Sequence, residues 1–315
     1  MNKKLISIVC PCYNEQDNLP KLKEKLENIF GNQLNAYNYE VFFIDDCSKD
    51  NSRMILRDFA AKNKNFKVIF NAINYGPLKS CFNALKYCKG DAIVPMMPVD
   101  MQDPPEVLIE FVKKWENNVD IVYGVKKKRQ EAWLLRKLRN IYYLLVSKIS
   151  NINIPPYVGE YQLIDKKIND LLKNYDDYYP YTRGLIATLS SNTAPVEYTW
   201  EKRIHGTSNM RLLKLIDLGL NGIISFSNTP IRIFTLLGIL VSLISFLFII
   251  LQILTYFFTD RMGVPGITIL IVSIFFFSGL QFLFFGIIGE YIHAIHGQVR
   301  RPPKFVIEQE KINID

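Results

Sequence analysis

Two stretches of this chain stay free of charge for longer than a soluble fold ordinarily tolerates. Phe234 to Phe258 reads FTLLGILVSLISFLFIILQILTYFF, and Ile267 to Gly289 reads ITILIVSIFFFSGLQFLFFGIIG. Each exceeds the roughly 20 residues that a helix needs to cross a hydrocarbon core. A two-helix transmembrane hairpin is therefore expected at about 234–258 and 267–289. It divides the chain into a domain over 1–230, a hairpin over 231–290 and a tail over 291–315. Arg211, Lys214 and Arg232 precede the first run, and Arg300, Arg301 and Lys304 follow the second. The connection carries only Arg261, offset by Asp260. The positive-inside rule then puts both termini and the large domain in the cytoplasm, on a multi-pass protein of the inner membrane. The N-terminus, MNKKLISIVCPCYNE, is cut short by Pro11 and Asn14 and reads as a first strand, not a signal peptide.

A membrane-facing domain also accounts for the net charge of +8, since Lys and Arg are attracted to anionic lipid. A nucleic-acid binder would need a basic stripe with aromatic platforms, and none is legible. The five cysteines, Cys10, Cys12, Cys47, Cys81 and Cys88, are expected as reduced, mostly buried thiols in a cytoplasmic domain. The three histidines lie far from them in sequence, which argues against zinc.

Before the hairpin, strand and helix patterns alternate. LISIVCPC, YEVFFIDD, FKVIF, DAIVPMM and VDIVYG read as five strands. EQDNLPKLKEKLENIF, SKDNSRMILRDFAAK, PLKSCFNALKYC and PPEVLIEFVKKWEN read as the helices between and after them. Such alternation predicts an α/β domain with a mostly parallel, Rossmann-like sheet. Ligands of such sheets bind outside the carboxyl ends of the strands, where Tyr13, Asn14, Glu15, Asp45, Asp46 and Asp100 fall. Two further segments, from Lys126 (KKKRQEAWLLRKLRNIYYLLVSKIS) and from Ser208 (SNMRLLKLIDLGLNGIISFS), mix basic and apolar positions at helical spacing. They are expected as amphipathic helices in the bilayer interface. No G-x-G-x-x-G or Walker pattern occurs, which disfavours a Rossmann dehydrogenase or a P-loop ATPase.

The segment PVDMQDPPE then stands out. A hard divalent cation takes oxygen ligands and commonly holds a diphosphate through one or two protein groups. Asp100 and Gln102 are two apart, so an extended segment would turn both to one side, with Asp103 adding charge. Glu15, Asp45 and Asp46 should gather at the same edge, and acids gathered without partners repel unless a cation or ligand donors join them.

These segments together, SIVCPCYNEQDNLP, VFFIDDCSKDNS, NYG, VDMQDPPE, EKRIHGTSN and GEYIHAIHGQVRRP, resemble the family-2 glycosyltransferases that load a sugar onto polyprenyl phosphate. The similarity is greatest to the bactoprenol glucosyltransferase type with a two-helix anchor, and dolichyl-phosphate mannose synthase is a more distant relative. The resemblance implies a nucleotide-diphospho-sugar transferase (GT-A) fold. It implies Pro11, Tyr13, Glu15, Asp45, Asp46 and Asp100 as nucleotide-sugar contacts, and Asp100 and Gln102 as ligands of Mg2+ or Mn2+. It implies Lys126, Arg129, Arg203 and Ser208 at an acceptor phosphate, with Asp100, Glu160 and Arg203 catalytic. The expected reaction is inverting transfer of a hexose, by default from UDP-glucose, to undecaprenyl phosphate, by a homo-oligomer. Three positions depart from the family pattern: Pro98 stands where an acid is usual, Glu160 replaces an Asp, and Lys126 replaces an Arg. Two other readings compete. A processive polysaccharide synthase would carry a Gln-x-x-Arg-Trp motif, which Trp115, Trp133 and Trp200 do not supply. A non-catalytic scaffold would explain Pro98 but not the retention of Asp100 and Gln102. A flippase is disfavoured, since the apolar helices hold no charged side chain before Glu290.

Overall fold

The computed structural model of the chain describes residues 3–128, 158–175, 180–201, 229–259, 267–299 and 307–314. The first half follows the expected alternation. β1 (Leu5–Cys12), α1 (Leu19–Gly31), β2 (Asn38–Asp45), α2 (Ser52–Lys62), β3 (Phe66–Asn71), α3 (Pro77–Ala84), β4 (Ala92–Val94), α4 (Val107–Trp115) and β5 (Ile121–Lys128) come in that order. β6 (Val158–Asp165), α5 (Lys166–Leu172), α6 (Thr182–Leu189) and β7 (Thr193–Thr199) follow. Two long helices, α7 (Thr229–Thr259) and α8 (Ile267–Val299), precede a last strand, β8 (Glu308–Ile312).

One eight-stranded sheet runs in the order β7-β5-β6-β4-β1-β2-β3-β8. The β1–β2, β2–β3, β1–β4 and β5–β7 pairs are parallel. β6 runs antiparallel between β4 and β5, and β8 lies antiparallel along β3. The sheet is thus mixed but mostly parallel, as the alternation of strand and helix patterns predicts. The strands bury both faces: Ile6, Ile8, Val41, Phe43 and Phe66 pack under α1, α2 and α4, while Val9, Phe42, Ile44 and Ile69 pack under α3, α5 and α6. Near-continuous apolar runs are what a doubly covered parallel sheet demands. Cys10, Cys12, Cys81 and Cys88 belong to this interior, and burial pushes their thiols up, away from ionisation.

Several expectations are corrected. The strand expected over 91–97 closes after three residues, at Val94. β5 continues through Lys126 to Lys128, so the basic segment expected as a helix from Lys126 begins as strand. The segment around Asp100 is not extended, because Met101 has φ +54°. A left-handed residue there reverses the chain locally, and this one drives its own side chain into the core, where it is 2% exposed. The two expected interface helices lie mostly outside the described residues.

α7 and α8 contain the two charge-free runs, and they meet through Phe234 and Phe284, whose rings lie 5.7 Å apart. Among the described residues, Phe276–Gly297 is long and apolar enough to cross a membrane. Large apolar side chains on both helices, among them Leu236, Leu243, Leu247, Phe276 and Phe282, are more than half exposed.

Candidate active site

The carboxyl ends of β1, β2 and β4 open on one edge, and the loops leaving them are braced against each other. Asn14 (φ +56°) and Cys47 (φ +65°) each turn the chain through the left-handed region, which Asn tolerates better than most residues. The two turns interlock: the Asn14 amide donates to Ser48 Oγ at 2.9 Å, and the Lys49 amide donates to Asn14 Oδ1 at 2.8 Å. The Glu15 amide likewise donates to Ser52 Oγ at 2.9 Å. Glu15 takes the Asn18 side-chain amide at 2.6 Å. Tyr13, which the resemblance assigns to the base, sits half-buried on this platform, and so does Pro11, at the end of β1.

The expectation of unpartnered acids is corrected here. Asp45 has no exposed surface, and its carboxylate accepts Arg53 Nε at 2.7 Å and the Ser48 amide at 3.2 Å. It braces the edge and has no surface to offer a ligand. Asp46 is 3% exposed. Its Oδ1 accepts Asn71 Nδ2 at 3.0 Å, the Tyr75 amide at 3.0 Å and Ser80 Oγ at 2.9 Å, and its Oδ2 accepts the Gly76 amide at 2.7 Å. Amides and hydroxyls satisfy the charge that ligand donors were expected to satisfy. Asp46 thereby pins the Tyr75–Gly76 turn beside the edge.

Past β4, Asp100 and Gln102 flank the left-handed Met101. Asp100 is 8% exposed and accepts the Gln102 amide at 3.2 Å. The pair therefore owes its placement to a turn, with Met101 as its plug. A carboxylate and an amide oxygen are the hard donors that Mg2+ or Mn2+ prefers, and a cation shared with a diphosphate needs few protein ligands. The residues present fit such an ion, though among the described residues no three of His, Cys, Asp and Glu form a ready cage.

Asp103 plays a different part from the one expected. It is 5% exposed and accepts the Tyr198 hydroxyl at 2.5 Å and Lys126 Nζ at 2.7 Å. Lys126 Nζ also lies 5.4 Å from the centre of the Trp200 ring. One residue on, the Glu201 amide donates to the Gln102 carbonyl at 2.9 Å. Asp103 thus ties the ends of β5 and β7 to the Asp100 turn, and Lys126, expected at the acceptor phosphate, spends its charge on that tie. Gly124 makes room for it: a Cβ there would meet Tyr198 Cε1 at 2.6 Å and the Tyr161 carbonyl at 2.9 Å.

Glu160, on β6 at the same edge, has a side chain 23% exposed and lies 3.6 Å from Arg183 Nε. Burial lifts its carboxyl above the usual range, and Arg183 and Lys126 pull the other way. Arg183 is in turn fixed by the Tyr181 hydroxyl at 2.6 Å and the Val158 carbonyl at 3.1 Å. Sequence reasoning gave no role at this edge to Arg183, Arg53, Tyr198 or Trp200. Nothing local marks such a role, which rests on contacts that the fold brings together, such as Asp103 with Tyr198 and Lys126 with Trp200. Arg129, Arg203 and Ser208 lie outside the described residues.

A family model described as glycosyl transferase family 2 matches residues 7–172. Uncharacterized glycosyltransferase YkcC of Bacillus subtilis (strain 168) is 32% identical over 304 residues, covering 96% of this chain and 93% of its own. Bactoprenol glucosyl transferase of Shigella phage SfV is 32% identical over 308 residues, covering 97% of this chain and 99% of its own. The prophage bactoprenol glucosyl transferase homolog of Escherichia coli (strain K12) matches to the same extent.

Proposed function

The chain belongs to glycosyl transferase family 2, and from that premise we propose that it moves a hexose from a nucleotide sugar to a polyprenyl phosphate held in the membrane. UDP-glucose is the donor to test first and undecaprenyl phosphate the acceptor. One observation carries the reading. A sheet edge carrying the hard oxygen donors Asp100 and Gln102 and two long apolar helices share one chain, which relatives named bactoprenol glucosyl transferase match over 97% of its length. The uncovered apolar side chains of α7 and α8 support their pairing as a membrane hairpin, because water does not tolerate so large an exposed apolar surface. Such an anchor, with both termini cytoplasmic, would hold the site against the leaflet in which a polyprenyl chain stays. Assembly as a homo-oligomer belongs to the same reading.

The chemistry follows from the charges. A phosphate monoester is mostly dianionic near neutral pH, with a second pKa of about 6. Its oxygen is already a nucleophile, and no general base is required. The site must instead bring two anions together and stabilise the departing diphosphate. Asp100 and Gln102 would hold a divalent cation, which when bound supplies Lewis-acid relief of charge on that leaving group. Arg129, Arg203 and Ser208 would orient the acceptor phosphate through charge-assisted hydrogen bonds. Tyr13 and the interlocked loops of β1 and β2 would hold the nucleoside, with Pro11, Glu15 and Asp46 completing its wall. Glu160, steered by Arg183, would offset positive charge on the sugar ring as a carboxylate. A single displacement at the anomeric carbon inverts its configuration.

Transfer of labelled hexose from a panel of nucleotide sugars into undecaprenyl phosphate, by purified protein with and without EDTA, tests the reading. An organic-soluble labelled product that disappears with EDTA is expected. No lipid-linked product from any donor would favour the scaffold reading.

A further inference from the structure

The last strand of the chain lies where the proposed chemistry does not need it. β8 follows α8 and pairs antiparallel with the outer edge of β3, with Phe70 opposite Glu310 and Asn71 opposite Glu308. Capping an exposed edge is a common structural use of such a strand, but the side-chain contacts here are aimed. The Ala72 amide donates to the Ile307 carbonyl at 2.9 Å, and the Ile307 amide donates to the Tyr75 hydroxyl at 3.1 Å. Arg53, which holds Asp45, also reaches Gln309 Oε1 at 3.3 Å and the Asn71 carbonyl at 3.1 Å. Arg57 grips the Glu310 carboxylate with both terminal nitrogens. Glu308 is held by the Tyr87 hydroxyl at 2.6 Å and by Asn83 Nδ2 at 2.6 Å.

Two of these lines, through Tyr75 and through Arg53, end beside the two buried acids. Tyr75 and Gly76 give their amides to Asp46, and Asn71 gives it a side-chain amide. Arg53 neutralises Asp45. The tail is also bound covalently to the apolar helices. Eight residue steps from Val299 to Ile307 span at most about 28 Å.

We propose that β8 is a positioning element of the donor site. By gripping Tyr75 and Arg53 it holds the Asp45–Asp46 cradle in shape, so that affinity for a nucleoside diphosphate depends on a segment that follows the membrane helices. The inference rests on the reading that this edge takes the nucleotide. It differs from plain edge protection, which would change stability and leave affinity alone.

The test is a charge swap on the full-length protein in lipid nanodiscs. Glu310→Arg sets a third guanidinium against Arg53 and Arg57, and the double variant Arg57→Glu, Glu310→Arg restores opposite charges. Two readouts are taken on wild type and both variants: hydrogen exchange at the Tyr75 and Gly76 amides, and UDP affinity by calorimetry. In Glu310→Arg we expect exchange at both amides to accelerate and UDP affinity to fall at least tenfold, with KM for the donor rising and kcat holding. The double variant should recover most of both. Unchanged exchange at Tyr75 and Gly76 overturns the proposal. So does faster exchange with UDP affinity equal to that of wild type, which would leave β8 a stabilising edge and nothing more. A wild type that binds no UDP would instead sink the proposed function, and the inference with it.

Discussion

Replacing Asp103 by Asn should cost more stability than any other single polar change at the site. The carboxylate is 5% exposed, and the Lys126 side chain that meets it at 2.7 Å is 11% exposed. Breaking a buried pair from one side typically costs about 3–5 kcal/mol, because a charge is left in low dielectric without its partner. Two features lower that figure here. The Asn oxygen still accepts from Tyr198, and Lys126 Nζ keeps the face of Trp200 at 5.4 Å, a contact worth roughly 1 kcal/mol. About 2–3 kcal/mol remains, which for a chain of this size lowers the melting temperature by about 3–5 °C. Tyr198→Phe removes one hydrogen bond to a charged acceptor and should cost about 1.5–2 kcal/mol. Both changes act on one carboxylate, so their sum should exceed the double variant by about 0.5–1 kcal/mol. The Gln102 carbonyl and Glu201 amide ride on the same tie, so hexose transfer should fall at least as sharply as stability. Thermal melting in detergent, read beside single-turnover transfer, measures both. An Asp103→Asn protein melting within about 1 °C of wild type would refute the buried-charge reasoning.

The site makes further demands. Asp100→Asn should lower transfer by about 10²–10³-fold, the usual worth of one electrostatic contact to a developing charge. Gln102→Ala should lower it less, with partial rescue by raised Mn2+ in a titration of initial rates. Gly124→Ala pushes a methyl against Tyr198 and the Tyr161 carbonyl, and should cost about 1–3 kcal/mol by denaturant melting. Glu160 carries a pH signature. Its carboxyl is raised by burial, so the folded chain binds that proton more tightly than the unfolded one. Stability from this group is fullest at acid pH and is lost as pH climbs from the ordinary Glu value through the raised one. Glu160→Gln should therefore melt no lower than wild type near neutral pH while transfer drops by about 10²-fold, as for loss of an electrostatic contact. A melting point several degrees lower would make Glu160 a structural partner of Arg183.

What was legible in the sequence was local. Apolar runs ending in Pro11, Asp45 and Met97 gave the parallel strands, because burial on both faces writes itself directly into composition. β7 and β8 were not legible, for opposite reasons. β7 holds Pro195 in its interior, a residue tolerated only because this strand closes the sheet's edge. β8 reads EQEKI, and its charges satisfy Arg57, Tyr87 and Asn83 across more than 200 positions of sequence. β6 was missed as well, and nothing in GEYQLID says that it enters reversed between β4 and β5. At the site the limit is sharper. An acid awaiting a ligand and an acid already satisfied look identical in one dimension, and the donors that satisfy Asp45 and Asp46 are Arg53, Ser48, Asn71, Ser80 and the backbone of Tyr75 and Gly76. Motif spacing therefore points to this edge but does not tell which of its acids already have partners within the fold. The same holds for Lys126, whose fit to an acceptor phosphate is a matter of residue type, while its bond to Asp103 is a matter of where β5 ends.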